Sequence, residues 1–177
     1  MVSVGIVNFR TPEHPDVQLI ESPTNRGFAA GVNLGLARAS GEHLLVLNPD
    51  IVVHPGSIDR LVDFMAAHPQ AGLVAAKLLN PDGTLQPTCR TRYTVKTILL
   101  RRTILGKLFP NDRTLREHLM LDYDHATPRN VDWVAGACLM VRWEALEEVG
   151  PMDERYLLWR AATSRVSITR PHRQAAP

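Results

Sequence analysis

Two stretches of the sequence combine residue types suited to chemistry on a charged ligand. Asn48-Pro49-Asp50 follows directly on Leu44-Leu45-Val46-Leu47, a continuous apolar run of the kind buried on both faces of a sheet. In open α/β sheets, ligands bind in the crevice outside the carboxyl ends of the strands. A carboxylate there can hold Mg²⁺ or Mn²⁺, whose hard charge bridges the oxygens of a diphosphate. The tripeptide alone decides nothing, because Asn80-Pro81-Asp82 repeats it before Gly83, where it reads as a turn. Placement after the strand carries the signal.

The second stretch is Asn25-Arg26-Gly27-Phe28-Ala29-Ala30-Gly31-Val32-Asn33, a glycine-bearing helix start. Free backbone N–H groups and the helix dipole favour an anion at such a place. Simple capping with close helix–sheet packing accounts for the same residues, and taken alone it is the stronger reading.

The elements that must position these groups follow from pattern. A buried strand is expected over 2–9 and a weaker one over 17–20. Phe28, Val32, Leu36 and Ala39 fall at helical spacing before Ser40-Gly41, and Pro55-Gly56 precedes a helix with Ile58, Leu61, Val62 and Met65 on one stripe. Asp59, Arg60 and Asp63 lie off that stripe. Further strands are expected over 73–76, 131–135 and 137–141, a hairpin turn at Asn80-Pro81-Asp82-Gly83, and a helix over 143–149 closed by Gly150-Pro151. Strands alternating with helices argue for an α/β fold with a largely parallel sheet. One domain over 1–159 is expected, followed over 160–177 by a disordered basic tail with four arginines and no acidic residue.

Composition narrows the function classes. With 177 residues, 45% hydrophobic and 21% charged, the chain matches an ordinary globular protein, and a net charge of +2 argues against a polyanion binder. No nucleic-acid partner is expected. Cys89 and Cys138 are distant and form no CxxC pair, and the seven histidines show no HxH or HExxH spacing. A reducing, cytoplasmic setting is expected, because the apolar N-terminus has no basic region and breaks at Asn8. Asp122-Tyr123-Asp124-His125 reads as a solvated loop. Residues 94–120 look helical with breaks at Gly106 and Pro110. Over 94–109 a basic amphipathic helix would suit a membrane-bound acceptor. The charges scatter around the axis, however, so a packed helix with snorkelling cations is expected.

The chain resembles the family-two inverting glycosyltransferases, in particular the rhamnosyltransferase-like branch of cell-surface polysaccharide synthesis. The resemblance rests on Val4-Gly5-Ile6-Val7-Asn8-Phe9, on the 25–33 stretch, on Leu47-Asn48-Pro49-Asp50, and on Val131-Asp132-Trp133-Val134-Ala135-Gly136-Ala137-Cys138-Leu139-Met140-Val141-Arg142 continuing to Gly150-Pro151-Met152-Asp153-Glu154. It implies a GT-A-like, Rossmann-type mixed sheet and a nucleotide-diphospho-sugar donor, with a glycan or polyprenyl-linked acceptor approached at the inner membrane face. It also implies a divalent metal held at Asp50, with Asn48 standing where many relatives carry another aspartate. Asn25, Gly27 and Asn33 would line the nucleotide-sugar site, and Trp133 and Gly136 would sit near donor sugar and acceptor. An amphipathic ring packed at a strand edge is an equal reading for Trp133.

Two departures make the expected fold incomplete. Relatives carry a helix and a second strand after the first, ending in a base-holding aspartate. Here Thr11-Pro12-Glu13-His14-Pro15-Asp16 leads almost directly to Val17, too short for a unit of ~30 residues. Relatives also follow the Asp153 region with a Glu-Asp pair whose aspartate is the general base, where this sequence has Arg155-Tyr156-Leu157-Leu158-Trp159.

Overall fold

A computed structural model of the chain describes residues 1–6, 18–109 and 111–155. The basic tail, Asn8, the 7–17 connection and the residues after Arg155 lie outside the described residues. The chain divides into two compact units, Met1–Ala76 with Gly136–Pro177, and Lys77–Ala135.

The first unit is built on a four-stranded sheet of β1 (Val2–Ile6), β2 (His43–Leu47), β3 (Leu73–Ala75) and β8 (Cys138–Arg142), in the order β1-β2-β8-β3. All five residues of β2 are buried, as its unbroken apolar run requires of a central strand. Leu44, Leu45, Leu139 and Met140 form the heart of the core, and each such burial stabilises by about 1.5–3 kcal/mol. β1 runs parallel to β2, but β8 is antiparallel to both β2 and β3. The sheet is therefore mixed, in place of the largely parallel one that alternation suggested. A buried strand reads as an apolar run in either direction, and nothing local reveals that β8 inserts between β2 and β3. β1 is also less buried than its sequence predicts: it forms an edge, with Val4 50% and Ile6 55% exposed. Of the weak strand expected over 17–20, residues 18–20 are irregular and Val17 is not described.

Helix α1 (Phe28–Leu36) buries Ala29 and Val32 and packs against β1. Its successor α2 (Ser57–Ala67) buries Met65, with Ile58, Leu61 and Val62 half-buried on the same stripe and Asp59, Arg60 and Asp63 exposed. Arg142, at the end of β8, donates from its guanidinium to the carbonyls of Met65 (2.5 Å) and Ala71 (3.3 Å). A cation thus satisfies an orphan carbonyl at the C-terminus of α2. Gly41 is needed by close approach: a Cβ there would meet Ser3 N at 2.5 Å, and Ser3 Oγ already accepts from Gly41 N–H at 2.8 Å. After β8 the chain turns into α6 (Trp143–Val149), closed by Gly150 at φ 86°.

In the second unit, β4 (Leu78–Leu79) and β5 (Leu85–Gln86) form the expected hairpin, and β6 (Cys89–Arg90) pairs antiparallel with β7 (Trp133–Val134). Three short helices follow β6: α3 (Val95–Arg102), α4 (Leu105–Leu108) and α5 (Arg113–Leu119). Thr94 caps α3 reciprocally with Thr97, and Asp112 caps α5 by accepting from Thr114 and Leu115 N–H. The helical stretch breaks at Thr103, not at Gly106, which lies within α4. With α3 ending at Arg102, only Thr97 and Leu100 are buried, while Val95, Ile98 and Leu99 are exposed. The packed helix with snorkelling cations expected here is corrected: the apolar face points outward.

Candidate functional site

The register of the first unit's sheet assembles one edge from distant sequence. Ile6 pairs with Leu47 and Leu47 with Cys138, so the residues after β2 and those before β8 leave the sheet side by side. Asn48 is half-buried, and its N–H donates to the Ala137 carbonyl at 2.8 Å, next to buried Gly136. Ile51 N–H in turn donates to the Asn48 carbonyl at 3.3 Å, closing a turn around Pro49 and Asp50. Asp50 is exposed at the tip, and no hydrogen bond or ion pair engages its carboxylate among the described residues. The backbone that carries it is fixed, and the carboxylate itself is unspent.

At the start of α1, Gly27 sits at φ 89°, a left-handed conformation that favours glycine. Asn25 Oδ1 accepts from Gly27 N–H at 3.0 Å, and no side chain caps α1, so first-turn N–H groups point out of the helix without a side-chain acceptor. Asn33 faces the other way. Its amide donates to the Met152 carbonyl (2.9 Å) and to Glu154 Oε1 (3.0 Å), and its Oδ1 accepts from Met152 N–H at 2.9 Å. Arg26 pairs with the other oxygen of Glu154. The structure thus joins the 25–33 stretch to the 152–154 stretch, and Asn33 acts as the clamp between them. Sequence reasoning passed over Arg26 and Glu154 as a pair. Their opposite charges were visible, but a separation of 128 positions in sequence concealed the partnership. The acids that follow Met152 are engaged: Glu154 by Arg26 and Asn33, and Asp153 by Arg155 at 2.6 Å.

The remaining predicted residue, Trp133, lies in the second unit. Its ring is stacked with Tyr93 (centroids 6.2 Å apart, planes 15° apart), and the Arg90 guanidinium lies 5.7 Å from the ring centroid. The indole N–H is buried without a hydrogen-bond partner among the described residues. Beside Tyr93 sits His118, fully buried, where loss of solvation and the nearby Arg101 hold its pKa below the usual histidine value. Cys89 and Cys138 are buried free thiols whose pKa values are raised by burial, consistent with core residues. No group of three or more His, Cys, Asp or Glu is placed to hold a metal among the described residues. Nor is any described helix long and apolar enough to cross a membrane.

Comparison with known proteins adds a family to this geometry. Residues 3–150 match the family described as Glycosyl transferase family 2. The chain is similar to an N-acetylglucosaminyl-diphospho-decaprenol L-rhamnosyltransferase of Mycobacterium tuberculosis, 31% identical over 82% of this chain and 50% of that protein. It is similar also to the low-salt glycan biosynthesis hexosyltransferase Agl10 of Haloferax volcanii, 25% identical over 82% of this chain and 44% of that one. A third relative is the O-antigen biosynthesis protein RfbC of Myxococcus xanthus, 34% identical over 70% of this chain and 9% of that protein. The chain spans about half the length of the rhamnosyltransferase or less of the others. Matched over most of its length and carrying a mixed α/β sheet of the expected kind, the chain belongs to glycosyl transferase family 2.

Proposed function

We propose that the chain binds a nucleotide-diphospho-sugar at the carboxyl end of β2 and takes part in inverting transfer of the sugar, a deoxyhexose such as rhamnose, to a glycan or polyprenyl-linked acceptor. The observation that carries this is the unspent carboxylate of Asp50 on a backbone tied to Ala137. Mg²⁺ is usually held by one or two carboxylates plus substrate phosphates, and it does not need an all-protein cage. One free aspartate with Asn48 beside it fits that mode. A divalent ion bound there would neutralise charge on the departing diphosphate. The uncapped first turn of α1, after Gly27, offers N–H groups to an anionic donor. Asn25 and Asn33 hold the loop and helix that frame them.

In an inverting transfer the acceptor hydroxyl attacks the anomeric carbon, gives its proton to a carboxylate, and the nucleoside diphosphate leaves with the bonding electrons. The engagement of Glu154 and Asp153 by cations favours a second reading, donor binding without turnover. Release of nucleoside diphosphate from a panel of nucleotide-diphospho-sugars, with and without Mg²⁺ or Mn²⁺, separates the two. Metal-dependent release that drops on the order of a hundredfold or more in Asp50→Ala supports transfer. Donor binding without release supports the second reading, and absence of both rejects the proposal. A lipid-linked acceptor would bring the chain to a membrane surface as a peripheral protein.

A further inference from the structure

We infer that the outer face of α3 and α4, in the second unit, is a docking surface for an anionic lipid bilayer. Val95, Ile98, Leu99 and Arg102 fall at i, i+3, i+4 and i+7, which places them on one side of α3. Thr97 and Leu100 occupy the opposite, buried side. Past the break at Thr103, Ile104, Leu108 and Phe109 are exposed as well, and the six apolar side chains are 46–76% exposed. Helices of soluble proteins normally turn such residues to the core, so an outward stripe marks a surface that something covers.

Charge identifies the occupant. Residues 94–111 hold four cations, Lys96, Arg101, Arg102 and Lys107, and no acidic residue. Two of the four are spent locally, Lys96 on Asp112 at 3.0 Å and Arg101 on the Tyr93 hydroxyl at 2.6 Å. Arg102 and Lys107 make no hydrogen bond or ion pair among the described residues. A second copy docked through the same face would bring it cations and no acidic residue. The segment 156–177 brings four more arginines and no acid, so it does not complement the face either. An anionic headgroup layer over hydrocarbon matches both parts, taking the side chains without a shaped pocket and the cations without specific partners. The inference goes beyond donor binding and holds whether or not the chain transfers sugar.

The test is sedimentation of the full chain with phosphatidylcholine vesicles and with vesicles enriched in phosphatidylglycerol, in the absence of donor and metal. Tighter binding to the phosphatidylglycerol vesicles, weakened by salt, is expected. Arg102→Gln combined with Lys107→Gln should weaken it roughly thirtyfold, from about fivefold per cation. Ile98→Ser combined with Ile104→Ser should remove it, and the exposure of all four side chains leaves the circular-dichroism spectrum unchanged. Equal binding to both vesicle types, binding to neither, or variants that bind like the parent overturn the inference. So does a concentration-dependent dimer that the serine variant dissolves. Because no nucleotide is present, failure here leaves the transfer reading standing, and loss of transfer leaves this one standing.

Discussion

The tripeptide Asn-Pro-Asp occurs twice in this chain, and the two copies have opposite fates. At Asn80-Pro81-Asp82 both polar side chains are engaged inside the turn. Asp82 Oδ1 accepts from Thr84 N–H (2.9 Å) and Thr84 Oγ1 (2.6 Å), Asn80 Nδ2 donates to Thr84 Oγ1, and Gly83 takes φ 81°. These hydrogen bonds hold the Asp82 carboxyl below the usual aspartate pKa. At Asn48-Pro49-Asp50 the backbone is tied to β8 through Ala137, and the carboxylate is left free. The first copy consumes its carboxylate to make a hairpin, and the second presents one at the end of a buried strand. What separates the two copies is the strands beside each tripeptide, not its residues.

Asp50 depends on β2, so Leu45→Ala, which opens a cavity at a site only 1% exposed, should cost about 2–5 kcal/mol. It should remove nucleotide binding with the fold, as denaturant titration with and without ligand would register. Asn33→Ala takes away three hydrogen bonds between α1 and the 152–154 stretch. About 1–3 kcal/mol is expected, because it strands the Met152 groups and one oxygen of Glu154. The hairpin copy offers the converse trial. Gly83→Ala forces a Cβ into a left-handed position and should cost about 1–2 kcal/mol, yet leave nucleotide binding untouched. Loss of binding in that variant would dissolve the distinction between the two copies.

The smallest effect is a pH slope in the second unit. His118 has a depressed pKa, so it is neutral when folded and takes up a proton more readily when unfolded. Its contribution is absent well above pH 6.5, the ordinary histidine value, and destabilises progressively as the pH falls through it. On acidification below pH 6.5 the thermal midpoint of the parent should fall further from its neutral-pH value than that of His118→Gln falls from its own. A parent midpoint that rises on acidification would refute the assignment.

Much of the fold was legible in the sequence where its signals are local. The apolar run at β2, the 3.6-residue stripe of α2, the Asn80–Gly83 turn and the Gly150 stop each depend on neighbours within one element. What escaped depends on long-range geometry. The antiparallel insertion of β8 and the exposed edge at β1 are properties of the assembled sheet, and the Arg26–Glu154 pair spans two distant stretches. The outward face of α3 was missed for a different reason. A helical wheel drawn across 94–109 runs past the true end at Arg102, and the added residues blur a stripe that is clear within α3 itself. For the candidate site, the sequence located Asp50 and the α1 start by motif, while only the structure separated the free carboxylate from the clamped amide of Asn33.

The central claim is that Asp50 is the carboxylate that a metal–diphosphate ligand uses and Asp82 is not. Calorimetric titration of Mn²⁺ with a nucleoside diphosphate into the parent, Asp50→Ala and Asp82→Ala tests it most directly. Metal-dependent binding that survives Asp82→Ala and falls at least tenfold in Asp50→Ala is predicted. Equal binding by the parent and Asp50→Ala would contradict the account.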